Sequence, residues 1–174
     1  REKLEKYKSD FFIPRKIDFC ANGTTHLAVR TANPSVPSTS IWGFGNLGEV
    51  GKLLALFLHS TLRIALLLRR RIEVRGSWSQ FSKETLLSLP VPDFNSLDKQ
   101  SKKVLLEVYN TLKDKPFPSI AEQFDTSFDG LMSIDKVMFK MLGLEEYKEE
   151  DEIKELHLAL AKELGQLKEM MARD

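Results

Sequence analysis

Arg69, Arg70, Arg71 and Arg75, followed by Trp78, Gln80 and Lys83, form the densest basic and aromatic cluster in the chain. Arginine forks and glutamine amides pair bidentately with guanine and adenine edges, while lysines and helix ends hold phosphates. The chemistry this cluster points to is nucleic-acid binding. Arg15, Lys16 and Arg30 make a second basic patch, and Arg63 lies within an apolar run. The structural alternatives are plain. The arginines after Leu68 would cap a helix C-terminus against its dipole, Trp78 would be core, and the second patch would be solvated surface.

Catalytic patterns are weaker. Gly43, Gly45 and Gly48 spell G-x-G-x-x-G, but the segment before them, NPSVPSTS, leaves only Ile41 and Trp42 as a preceding strand. No acidic residue ends a second strand about 20 residues on, so a dinucleotide site is not supported. A turn into a helix whose free N–H groups greet an anion is the simpler reading. Cys20 has no histidine near it in sequence, and Ser60 points away from His59 on a helix, so neither makes a nucleophile–base pair. His59 reads as a core histidine. The single cysteine and three scattered histidines offer no zinc site and no disulfide.

These residues need elements to hold them. Leu47 to Arg71 reads as one long apolar helix ending in three arginines, with Lys52, His59, Ser60, Arg63 and Arg70 on one stripe facing water or a partner. The run is shorter than the ~20 apolar residues that span a bilayer, and His59 and Arg63 sit near its middle, which argues against a membrane span. Before it, residues 1 to 9 read as a short helix or the end of one. Phe11 to Ile13 and Ile17 to Cys20 read as strands parted by Pro14, and Asn22-Gly23 reads as a turn. Thr25 to Thr31 alternates as a half-buried strand, Asn33 to Ser40 is a loop, and Ile41 to Phe44 is a short strand. After it, Arg71 to Arg75 is a strand and Gly76 to Ser82 a turn. Helices follow over Ser82 to Leu87, Asp98 to Lys115, Phe117 to Phe124, Ser133 to Leu142 and Glu150 to Ala172. The last carries Ile153, Leu156, Leu160, Leu164, Leu167 and Met171 as an apolar seam, more naturally intramolecular packing than an oligomer interface.

With 174 residues and 42% hydrophobic content, the chain can bury one substantial core. Its net charge of +1 conceals an asymmetry: 14 Lys and Arg against 8 Asp and Glu up to Leu97, then 12 against 17. A basic half suggests phosphate-bearing partners. Cysteine usage fits a cytoplasmic protein. Arg1 stands where an initiator methionine is expected, so the chain reads as a piece of something longer.

The order of short segments resembles the C-terminal target-recognition region of adenine-N6-specific DNA methyltransferases of restriction-modification systems. The pieces are Pro14-Arg15-Lys16-Ile17, His26-Leu27-Ala28-Val29, Pro37 through Trp42, and His59-Ser60-Thr61-Leu62, where relatives tend to show Asn-Ser-Thr. They continue with Arg75-Gly76-Ser77-Trp78, Lys83 and Leu86, Leu89-Pro90-Val91-Pro92, Ile134-Asp135-Lys136-Val137 and Leu142-Gly143-Leu144. The resemblance covers most of residues 10 to 145, and His59 in place of Asn departs from it. It implies an upstream domain that binds S-adenosylmethionine and methylates an adenine flipped out of the duplex, while this region grips and reads the site. The Asn-Pro-Pro-aromatic loop of such catalytic domains does not occur here; Asn33-Pro34 is followed by Ser35 and Val36.

The expectation is therefore an α+β protein. A small, partly antiparallel β region packs on a long central helix within a basic portion, residues 1–97, and an all-helical subdomain follows, residues 98–174. The chain alone is expected to be no enzyme, with no catalytic, cofactor or metal residues. Arg15, Lys16, Arg30, Arg63, Arg70, Arg71, Arg75, Trp78, Gln80 and Lys83 would contact duplex DNA, Gln80 and an arginine or two reading bases. Other expected partners are the upstream methyltransferase domain and a restriction subunit or second copy. The rival readings are a protein-interaction or oligomerisation module docking through the C-terminal seam, and a complete small enzyme using the glycine loop.

Overall fold

The computed structural model describes residues 5–45, 47–73, 78–147 and 149–171. It is an α+β structure, with two small antiparallel sheets preceding a helical C-terminal half. In the first sheet β1 (Ser9–Pro14) is central, flanked by β3 (Val29–Ser35) and β4 (Ile41–Phe44). Phe11 stands opposite both Arg30 and Phe44, fully buried and edge-to-face with the Phe44 ring at 6.3 Å. In the second sheet β6 (Ser79–Gln80) lies between β2 (Lys16–Ile17) and β5 (Ile72–Glu73).

Pro14 cannot donate to a ladder, and β1 ends there as its composition requires. The backbone of Arg15 then joins the two sheets: its N–H donates to Ser40 O at 3.0 Å and its carbonyl accepts from Phe81 N at 3.1 Å. Strand β3 starts at Val29 and runs through Asn33-Pro34 to Ser35, four residues later than the alternation suggested. A proline is tolerated there because β3 is an edge strand.

The long helix expected from Leu47 to Arg71 is two helices. Helix α1 (Gly48–His59) and α2 (Thr61–Arg69) meet at 65° about Ser60, whose extended backbone (φ −67°, ψ 150°) belongs to neither. The Ser60 hydroxyl donates to Phe57 O at 2.7 Å and accepts from Arg63 N at 3.4 Å, closing one helix and capping the next. A serine's oxygen competes with the backbone in this way, and as an N-cap it is worth about 1 kcal/mol. The break also overturns the expected polar stripe, since Ser60 and Arg63 are buried. No single helix among the described residues is long and apolar enough to cross a membrane.

The later helices follow their caps. Helix α3 (Lys83–Ser88) is capped by Ser82, α4 (Lys99–Leu112) by Asp98, and α5 (Ile120–Asp125) by Ser119. Helix α6 (Asp129–Met141) begins four residues before the expected Ser133 and closes at Gly143, whose φ of +67° suits a residue without a side chain. Helix α7 (Glu150–Met171) is the last. Its seam residues Ile153, Leu160, Leu164 and Leu167 are buried, and α7 packs on α5 and α6.

Two main core clusters hold the elements together. One joins Ile17, Phe19 and Phe81 of the second sheet's surroundings to Ile64 and Leu67 of α2 and to Phe124, Leu131 and Leu164. The other joins Phe11 to Leu53, Leu56 and Phe57 of α1 and to Leu105, Ile134 and Met138. Both draw on residues from either side of position 97, so the helical half closes the core under each sheet.

Candidate nucleic-acid interface

The second sheet gathers several of the basic and amide residues. Lys16 and Gln80 are direct cross-strand partners, and the next pair, Ile17 and Ser79, is buried. Side chains alternate across a strand, so Lys16 and Gln80 point together to the outer face, where both are exposed. Gln80 is thus a strand residue rather than part of the expected turn, and no spacing rule links it to a lysine 64 positions earlier. Trp78, two residues before Gln80, is 48% exposed rather than core. Arg15 precedes Lys16 and lays its guanidinium over the Trp42 ring at 5.3 Å, which fixes a charged fork on a rigid plane. Lys83 is exposed at the first turn of α3.

The arginines after Leu68 divide. Arg71 donates from Nη1 to Leu68 O at 2.7 Å, so the capping role is real for this residue. Arg70 is exposed and its Nη1 donates to Ser88 Oγ at 3.0 Å, which holds it beside α3. Arg75, with Gly76 and Ser77 of the same segment, lies outside the described residues. Glu84 follows Lys83 at the start of α3, and its carboxyl is held below its usual range by backbone N–H donation there and by the Ser82 hydroxyl.

Two expected contacts lie elsewhere. Arg63 is 2% exposed, its guanidinium 5.9 Å from the Phe57 ring centroid, and its Nε and Nη1 have no hydrogen-bond partner. Burial lowers its pKa to about 10. The expectation that Arg63 contacts DNA is corrected by this burial. A water-facing position for Arg63 follows only from an unbroken helix, and the bend at Ser60 removes it. Arg30, on β3, is half-buried and pairs with Asp10 through Nη2 at 3.3 Å.

The histidines occupy two settings that the pattern does not single out, one buried and one half-buried. His157 falls four residues after Ile153 and three before Leu160, a polar residue inside the apolar seam, and that interruption is its signal. It is fully buried, with Nε2 at 2.7 Å from Asp135 Oδ2. Asp135 also accepts from Thr61 N at 2.8 Å and Thr61 Oγ1 at 2.5 Å. The segments His59-Ser60-Thr61-Leu62 and Ile134-Asp135-Lys136-Val137 therefore meet through one carboxylate. Burial pushes Asp135's carboxyl up, against the lowering pull of the His157 and Thr61 hydrogen bonds. His59 stacks near His26, ring centroids 4.7 Å apart, and burial, then His26, lower its pKa to about 3.

The nucleophile and glycine-loop readings gain no geometry. Cys20 is buried with Sγ 3.4 Å from Leu164 O, and burial first, then Asp18, pushes its thiol up, which disfavours the thiolate. Gly43 lies within β4, where a Cβ would come 2.6 Å from Ser9 Oγ, so its small size serves strand packing. Among the described residues no group of His, Cys, Asp and Glu is arranged to hold a metal ion. Comparison of the chain with protein-family models, with curated proteins and with solved structures finds no match.

Proposed function

We propose that this chain is a sequence-specific DNA-recognition domain of an adenine-N6 DNA methyltransferase or restriction-modification enzyme. It would bind duplex DNA and position it for a catalytic domain that carries S-adenosylmethionine. The observation that carries the reading is the outward Lys16–Gln80 pair, set beside exposed Trp78 and the Arg15–Trp42 stack. An amide held on a strand is oriented for bidentate pairing with adenine N6 and N7, and strands of a small sheet can read a DNA groove. Exposed Arg15, Lys16, Arg70 and Lys83 supply positive charge of the kind phosphate contacts need. Arg63, buried, takes no part in the base-reading face, while Arg30 pairs with Asp10 and Arg71 caps its helix.

The test is selection of bound duplexes from a random library by the whole chain, followed by affinity measurements across salt. An enriched site containing adenine, with log K falling against log salt by about 0.9 per phosphate engaged, supports the reading. No enrichment, together with affinity that ignores salt, overturns it.

A further inference from the structure

Between β3, α1 and α4 lies an open pocket of about 260 Å³, walled by Ala28, Ala55, Leu56, Leu112 and Ile134. One end is aromatic. The His26 ring stands 4.7 Å from that of His59 and 4.9 Å from that of Phe117, centroid to centroid. His26 Nδ1 is engaged by Thr25 Oγ1 at 2.6 Å, whereas His59 Nδ1 is buried without a partner. An apolar cavity of about 150 Å³ takes up benzene, so this one has room for a fused bicyclic ring.

At the mouth, Arg30, Tyr109 and Lys113 also line a second, polar cleft of about 410 Å³, which adds Lys52 and Asn110. Asp10 and Asp114 line this cleft too: Asp10 Oδ2 pairs with Arg30 Nη2 at 3.3 Å while its Oδ1 is buried without a partner, and exposed Asp114 lies 3.8 Å from Lys113. Lys52 has no ion pair among the described residues, and Arg30 Nε has no hydrogen-bond partner. The cleft lining carries three cations against two carboxylates, next to an apolar slot with few polar groups. That combination is typical of small-molecule sites.

The geometry points to a binding site for a planar heteroaromatic anion of purine-nucleotide size. Its ring would enter the slot against His26, His59 and Phe117, and its phosphate or carboxylate would meet Arg30 and Lys52. The unpartnered His59 Nδ1 offers the ring a hydrogen bond, and an arginine beside a lysine favours an oxyanion over a neutral group. The site is separate from the Lys16–Gln80 face and does not depend on that face binding DNA.

Three histidines make the test local. Imidazole NMR signals of the whole chain are followed as adenosine 5′-monophosphate, adenosine or inorganic phosphate is added, with His157, buried elsewhere, as the internal control. The expected result is a saturable shift of His26 and His59 but not His157, with the monophosphate binding at least about tenfold tighter than adenosine. Lys52→Gln should weaken the monophosphate by roughly threefold to tenfold and leave adenosine unchanged. Ala55→Phe, with His157 signals intact to show the fold, should abolish binding of both. The inference is overturned if His26 and His59 do not shift up to about 10 mM ligand. It is equally overturned if phosphate alone gives the full response, if adenosine binds as well as its monophosphate, or if folded Ala55→Phe still binds.

Discussion

Asp135 Oδ2 lies 2.7 Å from His157 Nε2 and 2.5 Å from Thr61 Oγ1, with all three residues fully buried, so one carboxylate ties α6 to α7 and α2. Its other oxygen accepts the first N–H of α2 at 2.8 Å, a donor that no intrahelical carbonyl can satisfy. His157 Nδ1 has no partner, which fits a neutral ring donating from Nε2. Asp135→Ala would strand the Thr61 N–H, the Thr61 hydroxyl and the imidazole N–H together. It should cost about 3–5 kcal/mol of stability, against about 1 kcal/mol for Thr61→Val. Denaturant unfolding of both variants checks the ratio; equal small losses would show that the network is not a support.

Arg63 should behave oppositely. Its guanidinium is buried against Phe57 with two nitrogens unpartnered, and a lone buried charge is costly even after its surroundings relax. Arg63→Met keeps the stem and removes the charge. It is expected to raise stability by about 1–3 kcal/mol, measured as a shift in denaturation midpoint at unchanged slope. A loss of that size would mean that the charge has a favourable setting.

Acid should weaken the protein through His59. The unfolded chain binds a proton at this ring below its ordinary value of 6.5, while the folded chain resists until about 3. Stability from this group is therefore present at neutral pH and falls as pH drops from 6.5 toward 3, at ~1.4 kcal/mol per unit at most. His26, lowered by burial, adds in the same direction. Since His59 as a whole is half-buried, a loss of about 2 kcal/mol by pH ~4.5 is expected. His59→Asn should flatten the profile over that range, and unchanged pH dependence in the variant would assign the effect elsewhere.

How much of this was legible in the sequence depends on the length of the signal. Ser82 and Asp98 stand at the expected starts of their helices and cap them, whereas the helix expected from Phe117 starts at Ile120, where the Ser119 side chain caps it. The break at Ser60 was not legible, because Leu, Ile and Ala continue on both sides and the partner that fixes the second helix, Asp135, is 74 residues away. The same holds for the interface. Arg15, Lys16 and Gln80 could be named by type, but Lys16 and Gln80 meet only through two-residue strands, too short for alternation to register. Arg63 was misplaced for a related reason: a helical wheel drawn across a 65° bend puts buried residues on a false outer stripe.

The most direct measurement compares Gln80→Ala with Lys83→Ala on the enriched site and on single-base variants of it, each across a salt series. Gln80→Ala is predicted to lose about 1–3 kcal/mol of discrimination at one adenine position and to keep the salt slope. Lys83→Ala is predicted to weaken all duplexes alike and to reduce the slope by about one. If both variants weaken every duplex equally and leave discrimination intact, the outer face of the second sheet does not read DNA and the account is contradicted.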